Sequence, residues 1–284
     1  MELPFQLDLN GKTVVVTGGG GVLCGMFAKA LGQCNAKIAI LDLRLEAAEA
    51  VAAEINSNGG TAKGYAANVL KKEELEACRA QIEADFGSCD ILINGAGGNH
   101  PKGTTTKEYF EEGDLDAQKD LVTFFDLDPA GVEFVFNLNF LGTLLPTQVF
   151  AKGMAKRKNG TIINVSSMNA FCPLTKIPAY SGAKAAVSNF TEWLAVHFSK
   201  AGIRVNAIAP GFFVTDQNRT LLFDNDGNPT ARTAKILAAT PMGRFGDAEE
   251  LLGTLLWLVN EKASGFVNGV VVPVDGGFSA YSGV

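Results

Sequence analysis

An α/β fold is expected: seven short strands forming one parallel sheet, helices on both faces, and a single domain spanning the 284 residues. Three observations point to it. Short β-rich apolar runs alternate with helical stretches along the chain, the pattern of successive βαβ units. A content of 47% hydrophobic residues is enough for a sizeable core. No composition shift or linker interrupts the alternation, and α/β folds often exceed the usual domain length.

The elements follow in order. Strands are expected at 13–17, 37–42, 61–67, 91–94, 161–166, 204–209 and 270–274. Helices are expected from about Val22, Leu45, Lys71, Gly131, Ala179 and Asp247, each with apolar residues at three- and four-residue spacing. Pro273 cannot donate to a ladder, which predicts an edge position for the last strand. Pro146 predicts a kink in the fourth helix that frees the carbonyl near Gly142.

Charge and composition exclude several functions. A net charge of −6 gives no basic field for nucleic acid or an anionic membrane. The five cysteines lack paired short spacing, and two histidines supply neither a structural zinc nor a His-based triad well, so no metal is expected. The segment from Met1 to Asp8 has no basic start or apolar run. With no segment judged long enough to span a membrane, the expected location is the cytoplasm.

The chemistry-bearing residues lie in the second half. Tyr180 and Lys184 are four residues apart at the start of a helical stretch and so project from one face. An ammonium beside a phenol favours phenolate, bringing a group with a pKa of about 10 nearer neutrality. Ser167, thirteen residues before Tyr180, could offer its hydroxyl to a substrate oxygen as charge grows there. Near the N-terminus, 13–17 runs into Gly18, Gly19, Gly20 and Gly21, a strand-to-helix turn that lets backbone approach a pyrophosphate. Asp42 ends the next strand. Its carboxylate suits ribose hydroxyls and repels a 2′-phosphate, which favours NAD over NADP; Arg44 slightly weakens that preference.

With Asn94-Gly95-Ala96-Gly97 midway, these pieces resemble the short-chain dehydrogenase/reductase family from Lys12 to Gly277. The resemblance implies a single-domain Rossmann fold. It also implies that Tyr180 is the proton donor or acceptor, that Lys184 lowers its pKa and holds the nicotinamide ribose, and that Ser167 orients the carbonyl. Asn139, in the helix before the catalytic strand, would hold a water relaying protons from Lys184, although an Asn there can also simply satisfy a helix backbone group. Cofactor contacts are implied for Gly18, Gly19, Gly21, Val22, Leu23 and Asp42 around the first turn, and for Asn68 and Val69 beside adenine. Further contacts are implied for Asn94, Ala96 and Gly97, and for Pro210, Gly211, Val214 and Thr215 at the nicotinamide carboxamide.

The chain departs from the family pattern at three places. Val22 and Cys24 stand where glycines are usual, so either the turn shifts in register or Val22 donates its N–H without positive φ. Asn68 replaces an Asp, and Gly95 replaces the second Asn of Asn-Asn-Ala-Gly.

Substrate contacts belong to the variable segments. A polar insertion at about 98–129 and a lid at about 212–240 flank the site. His100, Ser167, Asn169, Gln217, Asn218 and Arg219 form a polar set suited to a hydroxylated, acidic substrate, with Arg219 or His100 meeting a carboxylate. The stretches at 97–101, 124–129, 167–171 and 276–281 resemble the branch of the family described as D-mannonate oxidoreductase, or fructuronate reductase. That resemblance implies hydride transfer between NADH and the keto group of a hexuronate. Two alternatives stand beside it: a dehydrogenase of another sugar acid or polyol, such as a keto-gluconate reductase, and a non-catalytic NAD-sensing protein. By analogy with the family, a homotetramer is expected, joined through the helices at Gly131 and Ala179 and through the last helix and strand. The tail from Phe278 would dock on a neighbouring subunit.

Overall fold

The structure is a computed structural model that describes residues 6–116, 120–214, 219–224 and 226–283. Thr215, Gln217 and Asn218, three of the expected contact residues, lie outside the described residues.

Seven strands form one sheet: β1 (Thr13–Thr17), β2 (Lys37–Asp42), β3 (Thr61–Ala66), β4 (Ile91–Asn94), β5 (Gly160–Val165), β6 (Ile203–Pro210) and β7 (Val271–Val274). Their order is β3-β2-β1-β4-β5-β6-β7, and every pairing is parallel. The runs in β1 and β4 are buried throughout, as central strands covered on both faces must be. β7 is the edge, where the missing N–H of Pro273 costs no ladder bond.

Helices α1 (Val22–Gln33), α2 (Leu45–Ser57) and α3 (Lys72–Asp85) follow the first three strands. After β4 and an inserted segment come α4 (Pro129–Phe136), α5 (Gly142–Arg157) and α6 (Pro178–Phe198). Beyond β6 lie α7 (Arg219–Leu222), α8 (Ala231–Ala239), α9 (Leu252–Val259) and α10 (Glu261–Ser264). Two clusters fill the faces of the sheet. One joins Val14, Val16 and Ile40 to Phe27, Leu31 and Leu255; the other joins Val15, Leu41 and Leu92 to Leu75, Phe150 and Met154.

Pro146 sits inside α5, and an irregularity that the sequence reading did not anticipate precedes it, a π turn at Asn137–Leu141 between α4 and α5; such turns recur at functional sites. One expectation needs correction. The continuous run Pro129–Arg157 is long and apolar enough, by length and composition, to cross a membrane, against the expectation that no segment is. Half of that apolar stretch is buried inside the fold, with Val149, Phe150 and Met154 packed in the second cluster.

The inserted segment is more apolar at its surface than its polar sequence suggested. Tyr109, Phe110, Leu115, Phe124 and Phe125 are all exposed. It is tied to the body through Thr105, whose N–H donates to the Lys176 carbonyl at 2.8 Å, and through close backbone packing of Gly131 on Lys102 and Gly103.

Candidate active site

The strand order reverses between β1 and β4, and ligands of open parallel sheets bind outside the carboxyl ends of the strands at such a reversal. There the Thr17 hydroxyl accepts from the N–H groups of Gly95 and Ala96 at 3.1 and 3.3 Å, fastening the two strand ends together.

The first turn resolves the glycine question. Gly18 alone among Gly18 to Gly21 has positive φ, at 65°, and a Cβ there would stand 2.9 Å from Ala96 Cα. Gly21 is the N-cap of α1 in extended geometry, so Val22 is simply its first helical residue and needs no special conformation. Gly25 makes the close helix-to-loop approach, its Cβ position lying 3.2 Å from the Gly19 carbonyl oxygen. The N-terminus of α1 has no side-chain cap and no acidic residue in its first turn. Its N–H groups at Val22 and Leu23 are therefore left to an anion, which fits a dinucleotide pyrophosphate.

Cys24 and Gly95, two of the other departures, explain each other. A Cβ on Gly95 would fall onto Cys24 Sγ. The buried thiol, pushed up to about 12 by desolvation, fills the space that a side chain at position 95 would need. Sequence reasoning treated the two changes as separate because nothing in their spacing shows that α1 and the β4 loop meet.

Asp42 faces the same turn. Its Oδ2 accepts from Gly20 N–H at 3.1 Å and its Oδ1 from Arg44 N–H at 3.0 Å, which fixes the carboxylate and leaves lone pairs for ribose hydroxyls. Asn68 is held by its own turn, its Oδ1 accepting from Leu70 N–H at 2.9 Å. The buried Val69 touches the position of a Gly142 Cβ. The Asn94 side chain is buried, and its Nδ2 donates to Thr147 Oγ1 and Asn164 Oδ1 at 2.9 Å each, bracing β4 against β5 and α5. Pro210 ends β6, and Gly211 N–H donates to the Val274 carbonyl at 2.9 Å, with Val214 three residues further on.

The four expected catalytic side chains converge. Burial is the larger influence on the Tyr180 phenol and pushes its pKa up, with the Ser167 hydroxyl acting in the opposite sense. Lys184 is buried, with its Nζ 5.6 Å from the centre of the Tyr180 ring. A Cβ on Gly97 would lie 2.6 Å from Asn139 Oδ1 and 3.2 Å from Lys184 Nζ, so both groups crowd the same point of the β4 loop. Asn139, in the π turn, donates from Nδ2 to the carbonyls of Gly98 (2.7 Å) and Val135 (2.8 Å) and accepts from Gly98 N–H (3.2 Å). It thus satisfies a helix carbonyl and also fixes the loop that carries Gly97.

One detail differs from the sequence picture. Lys184 Nζ donates to the Val165 carbonyl at 2.8 Å, reaching past the tyrosine to the end of β5. Burial lowers its pKa to about 8. The ammonium therefore stands over the Tyr180 ring, its donated bond going to the Val165 carbonyl and not to the phenol oxygen.

The expected substrate residues are scattered. Asn169 is buried beside Ser167, its N–H donating to Ser167 Oγ at 3.3 Å, and its Oδ1 has no partner among the described residues. His100 caps a short 3-10 turn, its Nδ1 accepting from Lys102 N–H at 3.2 Å and its ring packed 5.1 Å from Phe134. Arg219 is exposed at the start of α7.

Comparison with known proteins agrees with this geometry. The family model for short chain dehydrogenases matches residues 12–225. An uncharacterized oxidoreductase of Haemophilus influenzae is 63% identical over 100% of this chain and 99% of its own. The 5-keto-D-gluconate 5-reductase of Escherichia coli strain K12 is 32% identical over 95% of this chain and 96% of its own. A crystal structure from Haemophilus, provisionally described as a D-mannonate oxidoreductase with bound NAD, superposes with a TM-score of 0.94 at 63% identity, covering 100% of both chains.

Proposed function

The chain belongs to the short-chain dehydrogenase family and is an oxidoreductase, and from that premise we propose that it uses NAD to interconvert a keto sugar acid and its hydroxy acid, D-fructuronate and D-mannonate. The observation that carries the reading is the convergence of Ser167, Tyr180, Lys184 and Asn139 beside an uncapped helix N-terminus and the carboxylate of Asp42. The Haemophilus protein that supports NAD and the mannonate assignment matches along the full length.

Bound NADH supplies the hydride to the carbonyl carbon. The residues of the chain supply the rest. Ser167 Oγ–H donates to the substrate oxygen, and the Tyr180 hydroxyl passes its proton to that oxygen as it becomes an alcohol; in the oxidative direction the same phenol receives the proton. Lys184, held on the Val165 carbonyl, favours the phenolate that remains. Asn139 keeps the Gly97–Gly98 loop in place, and Asn169 Oδ1 offers a buried acceptor to a substrate hydroxyl. The inserted segment and the 212–240 region would cover the pocket within a single domain. A cytoplasmic homotetramer remains part of this reading, supported by the exposed Trp193, Val196 and Phe134 on α6 and α4.

The second reading, a 5-keto-gluconate reductase, is favoured by the Escherichia coli relative. NADH oxidation should be followed with D-fructuronate and with 5-keto-D-gluconate, and repeated with NADPH. The proposal expects fructuronate with NADH to give the highest kcat/KM, and Tyr180→Phe to abolish turnover while keeping cofactor binding. Faster turnover of keto-gluconate would transfer the assignment to the second reading, and full activity in Tyr180→Phe would sink the mechanism.

A further inference from the structure

A cavity of about 180 Å³ lies where the inserted segment meets α8, and no step of the mechanism above uses it. Glu108, Thr175, Phe212, Arg232, Lys235 and Phe278 contribute to its wall. Two of its wall residues belong to segments that also carry site residues. Thr175 belongs to the connection from Ser167 to Tyr180, and Phe212 directly follows Gly211 at the end of β6.

Its polar rim is unbalanced in charge. Glu108 receives both of its contacts from Lys235 Nζ, at 3.0 and 2.9 Å, across 127 residues of sequence. Lys176 and Arg232 also act on that carboxylate, which Lys235 chiefly holds below its usual range. In the wall itself one carboxylate stands with two cations, Arg232 and Lys235, in a protein whose net charge is −6. Apart from Thr175, the rest of the wall is apolar, including Leu174, Ile236 and Phe278. Apolar walls with a few convergent charges are the usual make-up of a small-ligand pocket.

We propose that Arg232 and Lys235 form the subsite for the substrate carboxylate, and that Glu108 occupies it in the free protein, releasing Lys235 when an anionic substrate enters. This rests on the sugar-acid reading, and it places the carboxylate contact on α8 rather than on Arg219 or His100. Arg232 can receive a carboxylate through its planar fork, and Lys235 as a point charge.

The test compares D-fructuronate with D-fructose, which carries a hydroxymethyl group in place of the carboxylate. The ratio of kcat/KM for acid over neutral ketose is expected to fall about tenfold or more in Arg232→Gln and in Lys235→Gln, the scale of one charge-assisted hydrogen bond. It is expected to rise in Glu108→Gln, which removes the competing carboxylate. An unchanged ratio in both cation variants, or a fall in Glu108→Gln, would overturn the assignment. Titration calorimetry of D-gluconate and D-glucitol in the presence of NAD separates this from the functional reading. If the wild type turns over neither ketose, the sugar-acid reaction fails, yet gluconate binding weakened about tenfold in the double cation variant would uphold the subsite. Gluconate binding that the double variant leaves untouched, or that equals glucitol binding in the wild type, overturns it.

Discussion

Replacing Lys184 with methionine should change how stability depends on pH. The buried ammonium has its pKa lowered from 10.5 to about 8 by desolvation. Because the folded value is the lower one, the unfolded chain holds that proton more tightly, and protonation works against folding. The penalty is fully present below pH 8, fades as the pH rises toward 10.5, and is absent above it. A depression of this size amounts to about 3 kcal/mol near neutrality and about 1 kcal/mol at pH 9.5. Methionine keeps most of the apolar stem without the charge. Between pH 7 and 9.5 the wild type should therefore gain about 2 kcal/mol relative to Lys184→Met. The absolute offset also contains the lost bond to the Val165 carbonyl, worth roughly 1.5–3 kcal/mol for a charged donor, so the slope is the diagnostic quantity. Urea unfolding of both proteins without cofactor, at several pH values in that range, measures it. Parallel stability profiles would refute the buried-ammonium argument. The same titration predicts that carbonyl reduction slows as the pH passes 8 and Lys184 loses its charge, and that Lys184→Met has little turnover at any pH.

Three more outcomes are expected. Gly95→Ala should cost about 1–3 kcal/mol by forcing Cys24 aside, and adding Cys24→Gly should recover most of it in thermal melts; no recovery would mean that the pair is not coupled. Asp42→Ala should raise KM for NAD more than for NADP, since the carboxylate both binds ribose and repels a 2′-phosphate; an equal rise for both cofactors would remove the discriminating role. Truncation before Phe278 removes the ring packed 5.3 Å from Phe212. Loss of activity and of the proposed tetramer together is expected in parallel assay and light scattering, and an unchanged enzyme would refute the tail's role.

Much of the fold is local information. Short apolar runs located all seven strands, and the central β1 and β4 were plainest, because strands buried on both faces must be apolar throughout. Pro273 marked the edge strand by chemistry that any context would impose. The Tyr180 to Lys184 spacing and the position of Ser167 were legible because an i, i+4 pair on a helix shares a face wherever the helix lies.

What the sequence could not decide are the meetings between distant segments. Only the folded chain shows that Cys24 fills the place left by Gly95, that Asn94 turns inward to Asn164 while Asn139 holds Gly98, and that Lys184 reaches Val165. The pairing of Lys235 with Glu108 likewise has no trace in spacing or composition. The reason is physical: periodicity and propensity act over a few residues, whereas burial, charge pairing and steric exclusion depend on which surfaces the sheet brings together. By itself the sequence determined the sheet, its helices and the candidates for the reacting groups. Tertiary structure decided which of them come together, and which distant charges pair.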